Sequence, residues 1–459
     1  MIIKSTGTHI HFIGIGGIGM SALAEVSLQL GCKVSGSDAK KSSNIDKLVS
    51  LGANVSIGHA SENVKGATVV VYSSAISKDN PEYKNADDLN IPIMKRAELL
   101  ADLMRLRQGI AIAGTHGKTT STSIVATLLK ESNKDPTYII GGIVKNLGGH
   151  AYVGKGDFLV AEADESDGSF LLLNPVHSII TNIDDDHLDF YGSRENLFNA
   201  FEKFANKIPF YGVCALNADD EKLRKISERM HKPFVTFGLN NSGEDINYYA
   251  SNIKYNLDGV VFTLIYNGKD VGDFKLALPG DHNILNALGA IAVCHESGLS
   301  FTDLRTALLK FSGVGRRFQK IYKNDNFTII DDYGHHPTEI SETIKTAKKS
   351  MPDSELVVLF EPHRFTRTKS CWGDFLHCFN GADRVLLAPI YPANEEPIIG
   401  INSENLVNDI NKLHPSLSES FTDWNNIKEL IDSLSSKNAT LLVLGAGAVG
   451  AKVKDLVKA

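Results

Sequence analysis

Short runs of β-branched and aromatic residues alternate with longer stretches of helical periodicity along most of the chain. Residues 8–15 (THIHFIGI) predict a strand. Residues 20–31 (MSALAEVSLQLG) predict a helix, with Ala22, Leu23, Val26 and Leu30 on one apolar face. Further strands are predicted at 32–38, 67–76, 91–96, 158–164, 177–183 and 212–217, and then at 327–333, 355–362, 383–390 and 439–447. This alternation follows the logic of parallel strands joined by crossover helices. The stretch 252–278 departs from it. Alternating apolar positions around Asp258-Gly259 and Asn267-Gly268 predict antiparallel hairpins, and a helix is expected at 283–298. Fresh starts near residues 107 and 316 predict an α/β protein of three domains, 1–106, 107–315 and 316–459. The first is expected to be Rossmann-like, the second a P-loop ATPase-type sheet, and the third again Rossmann-like.

Composition narrows this picture. The chain has 459 residues, 42% hydrophobic and 22% charged, enough for several cores, which excludes a disordered chain or a disulfide-stapled scaffold. A net charge of -7 provides no bulk basic field, so nucleic acid is not an expected partner. The five cysteines (Cys32, Cys214, Cys294, Cys371, Cys378) are scattered and read as free, mostly buried thiols. No apolar run reaches the roughly 18 residues of a membrane helix. His9, His11, Gly14, Gly16, Gly17 and Gly19 break up the apolar N-terminal stretch, so it does not read as an export signal. No membrane partner and a cytoplasmic location are therefore expected.

Several motifs carry chemistry. Gly14-Ile15-Gly16-Gly17-Ile18-Gly19 is a GxGxxG between a strand and a helix, and Asp38 ends the next strand. Such a loop brings backbone N–H groups and a helix N-terminus to a pyrophosphate, while the acid can hold a ribose hydroxyl. By itself it fits NAD, another nucleotide diphosphate, or a tight turn with no ligand. Gly114-Thr115-His116-Gly117-Lys118-Thr119-Thr120 has a stronger setting, following a strand and opening a helix. A full Walker A run would have Gly at position 112, where Ile112 stands. Its backbone can still cradle phosphates, Lys118 can neutralise them, and the Thr119 hydroxyl can ligate Mg²⁺. The strand end FLVAEADESD supplies Glu162, Asp164, Glu165 and Asp167, and TNIDDDHLD places His187 among Asp184, Asp185, Asp186 and Asp189. Acids at strand tips beside a P-loop are the usual partners of Mg²⁺. Asn283 and Asn286 lie on one face at a helix start. Arg316 and Arg317 follow two glycines, His335 lies in the polar loop DDYGHHPTE with Asp332, and Arg364 and Arg367 lie in EPHRFTRT. A second GxGxxG, Gly445 to Gly450, has no acid at the required distance and reads as a close strand–helix turn.

GTHGKTT, EADESD, DDDHLD, HNILN, GRRF, DDYGHHPTE and PHRFTRT, in this order and over essentially the whole chain, resemble the Mur ligase family. DDYGHHPTE and PHRFTRT are similar to its alanine-adding branch, or to a close relative that reattaches recycled tripeptide. The resemblance implies ATP and Mg²⁺ as cofactors, UDP-N-acetylmuramate and L-alanine as substrates, and a monomer or homodimer. It also implies ligation through an acyl phosphate, with Lys118, His187, Arg317 and His335 as the catalytic set. It assigns ATP to Gly114, Thr115, His116, Gly117, Lys118, Thr119, Thr120, Asn283, Asn286, Arg317 and Asp332. It assigns the UDP-sugar to Gly14, Gly16, Gly17, Gly19, Asp38, Ser73 and Ser74, and a substrate carboxylate to Arg364 and Arg367. Metal falls to Thr119, Glu162 and His187. Other branches carry a carbamylated lysine; Lys203 is near the corresponding place, and no modified lysine is assigned. The competing readings are an NAD-dependent oxidoreductase, built on Gly14–Gly19 and Asp38, and a P-loop switch ATPase without ligation. The first leaves GTHGKTT, EADESD and DDDHLD without a role.

Overall fold

The computed structural model describes residues 7–73, 75–239, 246–421 and 423–458. Their strands form three sheets, in keeping with the expected three-part α/β fold. The first contains β1 (His9–Ile13), β2 (Lys33–Asp38), β3 (Asn54–Ile57), β4 (Val69–Tyr72) and β5 (Ile93–Lys95). Its order is β3-β2-β1-β4-β5, and every pairing is parallel. Strand order reverses beside β1, which places the first glycine loop at the carboxyl edge of a topological switch point.

The second sheet contains β6 (Gln108–Ala113), β7 (Thr137–Val144), β8 (Gly149–Tyr152), β9 (Phe158–Glu162), β10 (His177–Ile180), β11 (Val213–Asn217), β12 (Phe234–Gly238), β13 (Tyr248–Asn256), β14 (Gly259–Tyr266) and β15 (Lys269–Leu276). Its order is β15-β14-β13-β12-β11-β10-β6-β9-β7-β8. β6, flanked by parallel β9 and β10, is central, so its P-loop lies between the two acidic strand ends. β13, β14 and β15 are neighbours joined by two-residue connections at the predicted turns, a spacing that only hairpins permit. The third sheet contains β16 (Gln319–Lys323), β17 (Phe327–Asp332), β18 (Glu355–Phe360), β19 (Arg384–Leu387), β20 (Ser418–Ser420) and β21 (Ala439–Leu444), ordered β16-β17-β21-β18-β19-β20. Only β16 runs antiparallel within it.

By its contacts the chain forms two compact units. One runs through residue 251 and adds Thr263–Phe274 and Leu285–Phe311; the other holds Asn252–Phe262, Lys275–Ile284 and the chain from Ser312 on. The first unit therefore joins the first sheet to most of the second. Helix Ile18–Gln29 shows how. One apolar face was expected, yet every residue from Met20 to Ser27 is buried. The helix packs on β1 and β2 and also on β7 and β8. A helix covered on both sides needs little amphipathicity. Its polar residues are satisfied locally: Ser21 and Ser27 hydroxyls donate to Ile18 and Leu23 carbonyls, and Lys47 Nζ meets Glu25 at 2.8 Å. All five cysteines are free of disulfides, and all but Cys371 are buried. Among the described residues no helix is long and apolar enough to cross a membrane.

Candidate active site

The first glycine loop is shaped by its own strands. Gly14 and Ile15 N–H both donate to the Ser37 carbonyl, at 2.8 and 3.0 Å, and Gly17 caps helix Ile18–Gln29. Asp38 stands where a ribose contact was expected. Its Oδ2 accepts the Gly16 N–H at 2.9 Å and its Oδ1 the Lys40 N–H at 3.2 Å, so this carboxylate staples the loop. A Cβ on Gly19 would press on the Arg96 guanidinium, which lies over the helix start and reaches Asp164 at 3.3 Å. Ser74 lies outside the described residues.

The P-loop turns from β6 into helix Lys118–Glu131 through Gly114 (φ +129°) and Gly117 (φ +85°). A Cβ at Gly114 would collide with the Thr181 hydroxyl, and one at Gly117 with the Asn286 amide. Glycine is therefore required twice, for backbone conformation and for space. The second acidic strand end laces the loop in place. His116 N–H donates to Asn182 Oδ1 at 2.8 Å, Thr181 Oγ1 to the His116 carbonyl at 2.6 Å, and Asp184 N–H to Thr115 Oγ1 at 2.9 Å. Asp184 Oδ2 also lies 3.0 Å from His116 Nε2. Asn286 Oδ1 accepts the Ser121 hydroxyl at 3.0 Å, which fixes the helix of the P-loop to helix Asp281–Glu296. Gly114→Ala should leave the fold in place but misplace the loop. An equilibrium titration with ADP is expected to show at least a tenfold loss of affinity.

Lys118 Nζ donates to the Gly114 carbonyl (2.6 Å), the Thr115 carbonyl (3.1 Å) and Glu165 Oε1 (2.8 Å). Burial opposes its charge, yet the Glu165, Asp164 and Glu162 carboxylates hold the ammonium above its ordinary pKa. Lys118 is thus cationic throughout the physiological range. Burial pushes the Glu165 carboxyl up, and Lys118 opposes it. His187, at φ +57° before the short helix Leu188–Tyr191, has Nε2 3.6 Å from Asp186 Oδ2 and 3.9 Å from Glu165 Oε1. Glu162 Oε1 accepts the Gly141 N–H at 2.6 Å. Around Lys118 the site therefore offers Glu162, His187 and a buried Glu165 oxygen, Oε2, that has no hydrogen-bond partner. Hard oxygen donors with one imidazole suit a divalent cation such as Mg²⁺.

A cavity of about 430 Å³ connects the two loops. Gly14, Gly17, Gly19, Ser73 and Arg96 line it together with Lys118, Glu162 and Asp164. A ligand held by its phosphates on the first loop would extend toward the P-loop lysine.

The second unit holds the remaining candidates. Asn283 Nδ2 donates to the Pro279 carbonyl at 2.7 Å. Asp332, at the end of β17, accepts the Phe318 and Gly334 N–H groups, both at 2.7 Å, and so shapes the turn carrying Arg317 and the loop carrying His335. The Arg316 and Arg317 guanidinium groups lie 4.9 and 5.2 Å from the Tyr333 ring centre. His335 Nδ1 is 3.1 Å from the Tyr333 carbonyl, and its N–H donates to Glu339 Oε2 at 3.1 Å. Burial holds the His335 imidazole below its ordinary pKa, and His363 is lowered to about 4, by burial first and by His335 and Arg367 next. Both rings are therefore neutral near pH 7. Arg364 pairs with Glu395 at 2.7 Å, and Arg367 lies in the helix Phe365–Ser370 that follows. The second GxGxxG is filled by its own chain. Glu361 Oε2 accepts the Val449 N–H at 3.2 Å, and a Cβ at Gly447 would strike that carboxylate.

Family models match nearly the whole chain: "Mur ligase family, catalytic domain" over residues 9–108, "Mur ligase middle domain" over 112–294, and "Mur ligase, glutamate ligase domain" over 316–447. A UDP-N-acetylmuramate--L-alanine ligase of Geobacter sulfurreducens is 48% identical, with 95% of this chain and 94% of the relative covered. One of Trichlorobacter lovleyi is 44% identical over 98% of each. The chain belongs to the Mur ligase family. Among solved structures, the UDP-N-acetylmuramate-alanine ligase MurC of Thermotoga maritima is 31% identical, covers 98% of both chains and superimposes with a TM-score of 0.81. A murein peptide ligase of Psychrobacter arcticus, at 24% identity and a TM-score of 0.71, shares the fold.

Within this Mur ligase the sequence reading overlooked three groups. Glu165 was one acid among several in EADESD, and nothing in its spacing marks it as the partner of Lys118. Arg96 ended the strand predicted at 91–96, without a role. Glu361 fills the second glycine loop from a strand end some 85 residues away, a pairing that only the fold creates.

Proposed function

We propose that this protein joins L-alanine to the lactyl carboxylate of UDP-N-acetylmuramate, using ATP and forming UDP-N-acetylmuramoyl-L-alanine, ADP and phosphate. The observation that carries this reading is the cavity shared by the first glycine loop and Lys118. It matches a substrate held by a pyrophosphate at one end and phosphorylated at the other. Near-full-length relatives with that printed name support the choice of substrates.

A carboxylate cannot lose oxide to an amine, so its oxygen first attacks the γ-phosphorus of ATP and ADP leaves. The alanine amine then attacks the acyl carbon of the acyl phosphate, and inorganic phosphate departs with the C–O bond electrons. Two anions must meet in the first step. Lys118 and the N–H groups at the start of its helix neutralise the transferred group. Thr119 and Glu162 would hold Mg²⁺, and His187 a second ion, and the metal would supply further positive charge. Thr115, His116 and Thr120 complete the cradle, and Asn283, Asn286, Arg317 and Asp332 contact the nucleotide. Gly14, Gly16, Gly17, Gly19 and Ser73 hold the UDP-sugar, with Asp38 shaping their loop. Arg364 and Arg367 bind the alanine carboxylate, and neutral His335 takes a proton from its ammonium. Residues 1–106, 107–315 and 316–459 thus serve the UDP-sugar, ATP and amino acid respectively. ATP and UDP-sugar place the reaction in the cytoplasm.

Mass spectrometry of the product tests this reading. The expected product is UDP-N-acetylmuramate heavier by one alanyl residue. A product formed only with an L-Ala-γ-D-Glu-diamino acid tripeptide would replace it with the recycling reaction, and NAD-linked absorbance at 340 nm would replace both.

A further inference from the structure

Every N–H of the Lys118 ammonium is already committed inside the protein. Two point to carbonyls of its own loop, at 2.6 and 3.1 Å, and one to Glu165 Oε1 at 2.8 Å. The charge-assisted bond to Glu165 is the strongest of these. A phosphate can take Lys118 only if Glu165 lets go. Glu165 is poorly placed to drift away. Its side chain is 2% exposed, and its carbonyl accepts the Tyr191 hydroxyl at 2.6 Å. The other carboxylate oxygen, Oε2, is sealed from solvent without a hydrogen-bond partner. Glu162 and Asp164 add further negative charge around the same ammonium. A bare polyphosphate therefore meets an occupied lysine and net repulsion. A nucleotide arriving with a divalent cation brings Glu165 another partner, beside His187, whose Nε2 lies 3.9 Å from Oε1.

We propose that Glu165 is a specificity-determining residue that makes the P-loop accept the metal complex of the nucleotide and reject the free form. It does so by holding Lys118 until a cation draws its carboxylate away. This inference rests on the nucleotide-binding role of the P-loop proposed above.

The test is equilibrium binding of ADP to the full chain, in EDTA and in Mg²⁺, for the wild type and Glu165→Gln. UDP-N-acetylmuramate binding reports on the fold. The wild type should bind ADP well only with Mg²⁺. Glu165→Gln should bind ADP in EDTA roughly tenfold more tightly than the wild type, so that the Mg²⁺ dependence shrinks. Unchanged or weaker binding of ADP in EDTA would overturn the proposal while leaving the nucleotide role intact. A wild type that binds no ADP in either condition would overturn both. A second measurement needs no variant. Mg²⁺ alone should raise the reactivity of wild-type Lys118 toward an amine-selective ester, read by peptide mass spectrometry. Unchanged or lowered reactivity would contradict the release of Lys118.

Discussion

Lys118→Ala is expected to lower ligation by at least about a thousandfold while UDP-N-acetylmuramate binding changes by no more than a few-fold. The two effects separate because the lysine and the loop of Gly14, Gly17 and Gly19 are distinct parts of the lining of one cavity. Removing it takes away the cation that meets the transferred phosphoryl group, and no other described ammonium or guanidinium lies on the P-loop. It also strands Glu165, which is buried and loses its ion pair with the Lys118 ammonium. Leaving a buried charge unpaired costs about 3–5 kcal/mol, which the carboxyl can reduce by taking up a proton. The double variant Lys118→Ala/Glu165→Gln should therefore regain much of the lost stability and none of the activity. Steady-state ligation, a UDP-sugar titration and a denaturant melt on both variants separate these effects. Retained ligation in Lys118→Ala, or loss of UDP-sugar binding from a chain that still melts cooperatively, would contradict the division of labour.

Glu82→Leu should be the most destabilising single change in the first domain, by about 3–5 kcal/mol. Glu82 is 0% exposed. It accepts hydrogen bonds from the Ser37 hydroxyl (2.5 Å), Asn63 Nδ2 (2.6 Å), Ala60 N–H (3.2 Å) and His11 Nε2 (3.3 Å). Leucine would take the acceptor from all four donors, of which Ser37 and His11 are buried. The damage reaches the first glycine loop, because the carbonyl of Ser37 anchors Gly14 and Ile15. The pH dependence has a definite sign. Burial alone would raise the Glu82 pKa, but the donors outweigh it and hold the carboxyl at about 2 instead of 4.5. A depressed folded pKa contributes stability that is complete above pH 4.5 and drains away as pH falls toward 2. The contribution is about 3 kcal/mol. Wild-type melts at pH 7 and pH 3 should show this acid loss, and Glu82→Gln should lack that part of it. Equal acid slopes in the two proteins would rule out Glu82 as the source.

Much of this fold was legible because two periodicities, of strand and of helix, alternate without a long linker. The strands at 33–38, 158–162 and 439–444 fell where β-branched runs predicted them. The helix after the first loop was also found, but its burial on all sides was not. Its second covering surface, β7 and β8, lies more than 100 residues away in sequence. The phosphate loops were legible for a related reason: a glycine pattern between strand and helix is a local signal, and its backbone is fixed locally. Side-chain pairing across loops is not. EADESD announced acidity, but which acid meets Lys118 depends on how the chain turns after β9, and the turn selects Glu165. Asp38 was read as a ribose contact, and its part in closing the loop was not foreseen, because only the fold shows that the end of β2 brings it directly beside Gly16. The two GxGxxG motifs share one glycine spacing. Each takes a carboxylate of its own chain, Asp38 at Gly16 and Glu361 at Val449, but the first also lines the cavity that holds Lys118.

The central claim is that ATP turnover is tied to the union of a UDP-sugar acid with an amino acid. Phosphate release with ATP and Mg²⁺, measured with UDP-N-acetylmuramate and L-alanine present together, singly or not at all, tests it most directly. Phosphate should appear only when both are present, in step with the ligated product. Sustained release without the amino acid, or without the UDP-sugar, would contradict it.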